Sequence, residues 1–132
     1  MSQEDIKELI KYRISRAKET ISEVHSLIEL GYYNTAINRI YYACFYAVNA
    51  LLINKGLSAK RHDGVRQMFG LHYVKTGLIS KELARYYTDL FDRRQTGDYD
   101  DFVDYDKETA QELLVPANDF IQKIEKLIGE NK

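Results

Sequence analysis

Residues 41–53 are apolar on nearly every face of a helix, which distinguishes this segment from the rest of the chain. With 3.6 residues per turn, one uniformly apolar stripe predicts a core face, and it consists of Ile37, Ile40, Tyr41, Cys44, Val48 and Leu51. A second stripe is aromatic, with a cation at one end and an amide at the other: Arg39, Tyr42, Tyr46 and Asn49. Such a surface suits an interface or a ligand better than a dry interior. The segment therefore predicts a central helix with one functional edge.

The first half of the chain is predicted to form three helices, because apolar residues recur there every three or four positions. The first helix runs for about 25 residues and ends at Gly31, in the position of a C′ glycine. The second covers residues 32–54, and Gly56 marks the turn after it. A short third helix begins at Asp63 as its N-cap, and its segment ends at Gly77.

Two further helices are predicted in the second half. Ser80 caps the fourth helix, and Gly97 ends it. An acidic connector, residues 98–104, leads to a last helix whose apolar positions run from 110 to 128. Because a proline inside a helix removes one backbone donor, we expect a kink at Pro116.

These elements predict an all-α fold, since no segment alternates with period 2 for long enough to form a strand. Three long and two short helices with short connections favour an up-and-down helical bundle around the second helix. A chain of 132 residues with 45% hydrophobic content is long enough for one domain with a core. We therefore expect a single domain over residues 1–132.

Cysteine content and hydropathy indicate a cytoplasmic protein. Cys44 is the one cysteine in the sequence, so no internal disulfide can form, and its apolar neighbours predict a buried thiol. The longest apolar run, about thirteen residues, is shorter than the ~20 that span a bilayer. The first five residues are acidic rather than signal-like.

Charge is segregated along the chain although the formal net charge is only -1. Residues 39–94 carry 10 basic and 4 acidic side chains, whereas residues 95–132 carry 4 basic and 10 acidic ones. The basic middle can attract phosphates, or it can pair with the acidic end of the same chain or of a second copy.

A cluster of polar residues at the predicted end of the fourth helix, residues 93–99, is the strongest candidate for chemistry. It places two guanidiniums, a hydroxyl and the Tyr99 phenol around one turn, a combination that can hold a phosphate. The alternative is that Arg93 and Arg94 neutralise helix-end carbonyls and pair with acidic residues from Asp98 onward.

The three histidines lack the spacing of a metal site, and we expect neither a metal nor a cofactor. His25 falls among polar positions and is predicted to be solvated. His72 lies on the apolar side of the short helix and is interpreted as a hydrogen-bonded core histidine. His62, in a loop beside Arg61, is either an N-terminal flank or a phosphate contact.

Four segments, in the same order and spacing, resemble the small stand-alone HEPN-domain proteins of prokaryotes. They are residues 39–52, 62–65, 69–79 and 93–99, and the resemblance covers almost the whole chain. It implies a helical bundle that pairs into a homodimer and is often made together with a minimal nucleotidyltransferase as a toxin-antitoxin-like module. Many such proteins are metal-independent ribonucleases. Their signature is an Arg, four to six residues and a His, commonly followed two residues later by Tyr.

This sequence departs from that signature where the His is expected. Counting four residues onward, Arg93 leads to Asp98 and Arg94 leads to Tyr99. An Arg and a His with permitted spacing occur only at Arg66 and His72, one helix earlier. We therefore expect weak or no RNA cleavage.

The candidate site residues follow from the resemblance and the aromatic stripe together. For chemistry they are Arg94, Asp98 and Tyr99, and for nucleotide or RNA binding they are Arg39, Tyr42, Tyr46, Arg93, Arg94 and Tyr99. Three functions stay open: a HEPN partner of a nucleotidyltransferase, a non-catalytic nucleotide- or nucleic-acid-binding module, and a structural dimer.

Overall fold

The computed structural model describes residues 2–99 and 103–130, without the side chains of residues 98 and 99. All regular secondary structure in the described residues is helical and they contain no strand, so the all-α prediction is confirmed. In chain order the elements are α1 (Gln3–Glu29), α2 (Tyr33–Asn54), α3 (His62–Phe69), a π-helical turn (Gly70–Val74), α4 (Lys81–Tyr99), α5 (Lys107–Leu114) and α6 (Ala117–Glu130).

Helix α2 is the centre of the bundle, as predicted. Helices α1, α3, α4, α5 and α6 all contact it. By length and composition it is the one described helix that could cross a membrane, yet 61% of its apolar window is buried inside the fold. That burial is typical of the core helix of a soluble domain.

Helix α1 begins and ends where local chemistry requires. Ser2 and Asp5 form a capping box, in which the Ser2 hydroxyl accepts from the Asp5 amide at 3.1 Å. At the other end Gly31 has a φ of +86°, a left-handed conformation that favours glycine. The predicted glycine stop is therefore confirmed, and α2 turns back to pack along α1.

Two predicted boundaries are wrong. Arg61, and not Asp63, is the N-cap of α3, so His62 is the first helical residue. Helix α4 begins after Ser80, whose hydroxyl accepts from the Leu83 amide at 3.2 Å, but it continues through Gly97 to Tyr99. Gly97 does not end the helix but lets the Tyr105 ring approach it closely, since a Cβ at position 97 would lie 3.2 Å from Cε2 of Tyr105.

Residues 103–106, which lead into α5, form a strap that lies against α2 and α4. Both polar atoms of the Asn34 side chain form hydrogen bonds with the strap. Nδ2 donates to the Val103 carbonyl at 3.0 Å, and Oδ1 accepts from the Tyr105 amide at 2.8 Å. The Tyr105 hydroxyl donates to the Arg93 carbonyl at 3.2 Å. The strap thereby fixes the last described turns of α4 against the start of α2.

Pro116 interrupts the predicted last helix rather than only bending it. The predicted last helix is divided into α5 and α6, which are separated by a turn at Val115 and Pro116. The physical reason is the missing backbone donor of proline. Asp106 caps α5 by accepting from the Thr109 amide at 2.8 Å, and hydrogen bonds from the side chain and the amide of Thr109 lower the pKa of the Asp106 carboxyl.

We expect Asn34→Ala to lower the free energy of unfolding by about 1–2 kcal/mol, because it removes both hydrogen bonds to the strap. Urea denaturation followed by circular dichroism measures the change. Asn54→Ala is the matched control, since the Asn54 Nδ2 is buried without a hydrogen-bond partner in the described structure. Equal losses in the two variants would contradict this role of Asn34.

Candidate functional site

Arg94 packs inward from α4 onto the aromatic edge of α2. Its Nη2 donates to the Tyr42 hydroxyl at 3.0 Å. The guanidinium carbon lies 5.6 Å from the Tyr41 ring centroid and 5.4 Å from that of Tyr42, within cation–π range. The half-buried cation is therefore held by two rings and one hydroxyl.

His62, the first residue of α3, lies on the same rings. Its Nδ1 is 2.7 Å from the Tyr41 hydroxyl. Its ring stacks on Phe45 with centroids 4.3 Å apart and meets the Tyr42 ring edge-on at 5.8 Å. We call Tyr41, Tyr42, Phe45, His62 and Arg94 the Arg94 cluster.

The electrostatics of the Arg94 cluster favour a neutral imidazole. Burial lowers the pKa of His62 below its usual value, the Arg94 charge lowers it further, and Asp63 opposes both. Burial also raises the pKa of Tyr41 to about 12, so its phenol stays protonated. A neutral phenol and a neutral imidazole thus share the 2.7 Å hydrogen bond.

Arg66 extends the cluster from α3. It stands four residues after His62 and so shares its helix face. Its guanidinium lies 4.7 Å from the Phe91 ring centroid, and Nη2 is 3.7 Å from the Asp63 carboxylate. Its Nε is buried without a hydrogen-bond partner in the described residues.

Arg93 is separated from Arg94 by the helix geometry, because successive residues point about 100° apart. Its Nε donates to both carboxylate oxygens of Asp89, at 3.0 and 3.1 Å. Its guanidinium carbon lies 5.7 Å from the Tyr105 ring centroid. Arg93 therefore braces the strap, and the two arginines do not converge on one point.

Two other predicted residues, Tyr46 and Arg39, lie on α2 one turn to either side of Tyr42. Tyr46 neighbours Tyr42, with centroids 6.2 Å apart, and receives the Arg16 guanidinium 5.8 Å from its own centroid. Arg39 is half-buried one turn before Tyr42. The side chains of Asp98 and Tyr99 lie outside the described residues, so their predicted roles stay predictions.

The interpretation of His72 as a core histidine is wrong. It lies in the π-helical turn and is only partly buried, outside the set of buried core residues. A separation of six residues also places it away from the helix face of Arg66. The histidine that shares this face with Arg66 is His62, which the sequence offered only as a flank or a phosphate contact.

A groove elsewhere on the molecule has a volume of about 930 Å³. It lies beside α1 and α6, is lined by isoleucines such as Ile6 and Ile10 together with polar residues, and shares no residue with the Arg94 cluster. In the described residues, no group of three His, Cys, Asp or Glu side chains could hold a metal ion. The Cys44 thiol is buried, and burial raises its pKa. The Arg94 cluster is therefore the candidate functional site.

Comparison with known proteins places residues 10–127 within a family model described as the HEPN domain. A UPF0332 protein of Thermotoga maritima is 41% identical over 124 residues, which cover 94% of each chain. "Putative toxin MJ0142" of Methanocaldococcus jannaschii is 37% identical over 89% of this chain and 81% of its own length. "Putative toxin MJ0605" of the same organism is 36% identical over 96% and 93%.

A solved structure supports the same fold. The crystal structure of TT1696 from Thermus thermophilus matches with a TM-score of 0.74, covering 89% of this chain and 97% of that one. At 17% sequence identity this likeness concerns the helical architecture alone.

Replacing Arg94 by Gln should raise the pKa of His62, because it removes a nearby positive charge that disfavours the imidazolium. NMR titration of the His62 Cε1 proton measures this pKa. Arg85→Gln, at an exposed position of α4, is the control and should leave it unchanged.

The same titration predicts the direction in which the stability of the fold changes with pH. A folded-state pKa below the unfolded value of about 6.5 means that His62 stabilises the fold above pH ~6.5, and that this contribution is lost as pH falls through the folded pKa. A His62 pKa above that of the unfolded chain would contradict the placement of Arg94 beside the ring.

Proposed function

Because this chain belongs to the HEPN domain family, we propose that it is the HEPN-type component of a toxin-antitoxin-like nucleotidyltransferase module. Two relatives that carry toxin names, at 37% and 36% identity, support a toxin-like role. The expected partners are a second copy of this chain and a minimal nucleotidyltransferase. The expected ligand is RNA or a nucleotide.

The observation that carries the proposal is the half-buried Arg94 on the Tyr41 and Tyr42 rings. A guanidinium is always charged and offers planar, paired donors that match phosphate oxygens. The aromatic contacts at its faces fix the orientation of this guanidinium. This combination of an oriented cation with phenol rings is typical of sites that bind nucleotides or single-stranded RNA.

RNA cleavage at this site should be weak or absent. The two positions that would carry the signature His hold Asp98 and Tyr99. Unperturbed Asp titrates near 3.9 and Tyr near 10, and neither value matches proton transfer at neutral pH as His does.

The runner-up function is a non-catalytic nucleotide- or nucleic-acid-binding homodimer. The observation in its favour is that Phe45 and Tyr42 present half-buried rings beside the Arg94 cation. Stacking and ion pairing with a ligand need no proton-transfer group. The two functions share the site and differ only in chemistry and in the protein partner.

We expect a homodimer, since the basic middle of the chain and its acidic end are complementary in charge and α2 is rich in aromatic residues. Light scattering at tens of micromolar should give twice the chain mass of 15.4 kDa. A strictly monomeric protein would contradict this assembly and any site completed across a two-fold axis.

The purified protein should bind single-stranded RNA yet release little or no cleaved product in EDTA. Arg94→Ala should weaken binding about tenfold or more, because it removes a charged hydrogen-bond donor, while the exposed control Arg85→Ala should not. Filter binding and gel analysis of a labelled oligonucleotide measure both properties. Efficient cleavage that Arg94→Ala abolishes would keep the location and refute the expected inactivity. Absence of RNA and nucleotide binding would refute the function itself.

A further inference from the structure

The structure brings to Arg94 an imidazole that the linear motif around residues 93–99 lacks. His62 precedes Arg94 by 32 positions in the sequence, yet both side chains contact the rings of Tyr41 and Tyr42. We propose that His62, Arg66 and Arg94 together bind the phosphate group of a ribonucleotide. The ribonucleotide is either free or one unit of single-stranded RNA. This inference rests on the proposed function and deepens it, because it names the bound group and two residues outside the motif.

Helix α3 supplies two of the three groups from one face. His62 and Arg66 are four residues apart in His62–Phe69, so their side chains lie one above the other. His62 stacks on Phe45 of α2, and Arg66 lies over Phe91 of α4. The face of α3 that carries both groups therefore packs against aromatic rings of α2 and α4.

The hydrogen bond to Tyr41 leaves one imidazole nitrogen for a ligand. It uses Nδ1, at 2.7 Å from the Tyr41 hydroxyl. A protonated phenol can donate to Nδ1 of the neutral imidazole, which then carries its own proton on Nε2. In that tautomer Nε2–H is a donor on the side of the ring opposite to Tyr41, and a phosphate oxygen is a suitable acceptor.

Arg66 provides an independent indication of a missing acceptor. Its Nε is buried without a hydrogen-bond partner in the described residues, although buried polar groups are usually satisfied. Its one acidic contact, with Asp63 at 3.7 Å, is long and exposed. The Phe91 ring below it offers a π-face but no strong acceptor. Because the Arg66 side chain is partly exposed, an anion beside the edge of its guanidinium could accept from its outer nitrogens.

Charge favours a phosphate over other acceptors. Arg66 and Arg94 carry permanent positive charges over neighbouring rings, since Phe91 and Tyr41 have centroids 6.0 Å apart. The titratable groups that face His62 are Tyr41, Tyr42, Asp63 and Arg94, and Asp63 is the only acid among the described ones. A phosphate is the common group that accepts from two guanidiniums and an imidazole at once.

The test measures binding of two probes by NMR and fluorescence anisotropy. The first probe is AMP. The second is 2′-O-methyl octauridylate, which cannot be cut by attack of its own 2′-hydroxyl. We expect His62→Gln and Arg66→Gln each to weaken binding about tenfold, because each removes a donor to a charged group. His72→Gln and Arg85→Gln are matched controls outside the cluster and should bind as the wild type does.

The two probes distinguish the sources of the phosphate. Competition of AMP with the oligonucleotide supports a nucleotide site, whereas binding of the oligonucleotide alone assigns the site to RNA. Unchanged affinity in His62→Gln and Arg66→Gln, with weakened binding in Arg94→Gln, would overturn this inference and leave the proposed function standing. Failure of the wild type to bind either probe would overturn both.

A second measurement protects the test against misfolded variants. In the wild-type protein, saturation with AMP or with the oligonucleotide should raise the pKa of His62, because a nearby phosphate favours the imidazolium. His25, on exposed α1 surface, should titrate identically with and without the probe. If a probe binds and the titration of His62 does not move, His62 is not a ligand of the phosphate.

Discussion

The need to bury helix α2 on almost all sides is the constraint on which the rest of the structure depends. Its apolar residues face every direction, so α1, α4, α5 and α6 must each cover part of it. Each fully buried large side chain contributes roughly 1.5–3 kcal/mol of apolar burial, and Tyr41, at 0% exposure, is among the largest. The edge left half-covered is the one that carries Tyr42 and Phe45. The candidate site is thus the incomplete part of the core.

Tyr41 links this core to the site, because its ring and its hydroxyl serve different neighbours. The ring packs against Tyr87 and Phe91 of α4 at 5.9 and 6.0 Å between centroids. The hydroxyl reaches outward to His62. Arg94 can be half-buried beside it because a guanidinium is weakly hydrated, and each aromatic contact favours it by about 0.5–2 kcal/mol. Loss of solvation is thereby partly offset by the same rings that hold the fold together.

Consecutive residues of α4 serve different purposes for a geometric reason. Arg93 faces Asp89 and the strap, whereas Arg94 faces α2. Gly97 allows the Tyr105 ring to approach the helix, so the strap lies close to α4 without interrupting it. Neighbouring arginines that the linear motif treats as equivalent therefore have different partners, which are Asp89 and the strap for Arg93 and the α2 rings for Arg94.

The sequence by itself determined the all-helical fold and the central position of α2, because the 3.6-residue period and the end signals at Gly31 and Ser80 are local properties. It also indicated Arg94 and Tyr42 as site candidates. Only the tertiary structure decided that His62, and not His72, joins them. That result depends on how the turn after α2 carries α3 over the aromatic edge, and no periodicity encodes the position of one helix over another. The role of Gly97 could not be predicted for the same reason. Tyr105 lies outside α4, and its ring approaches position 97 only in the folded chain.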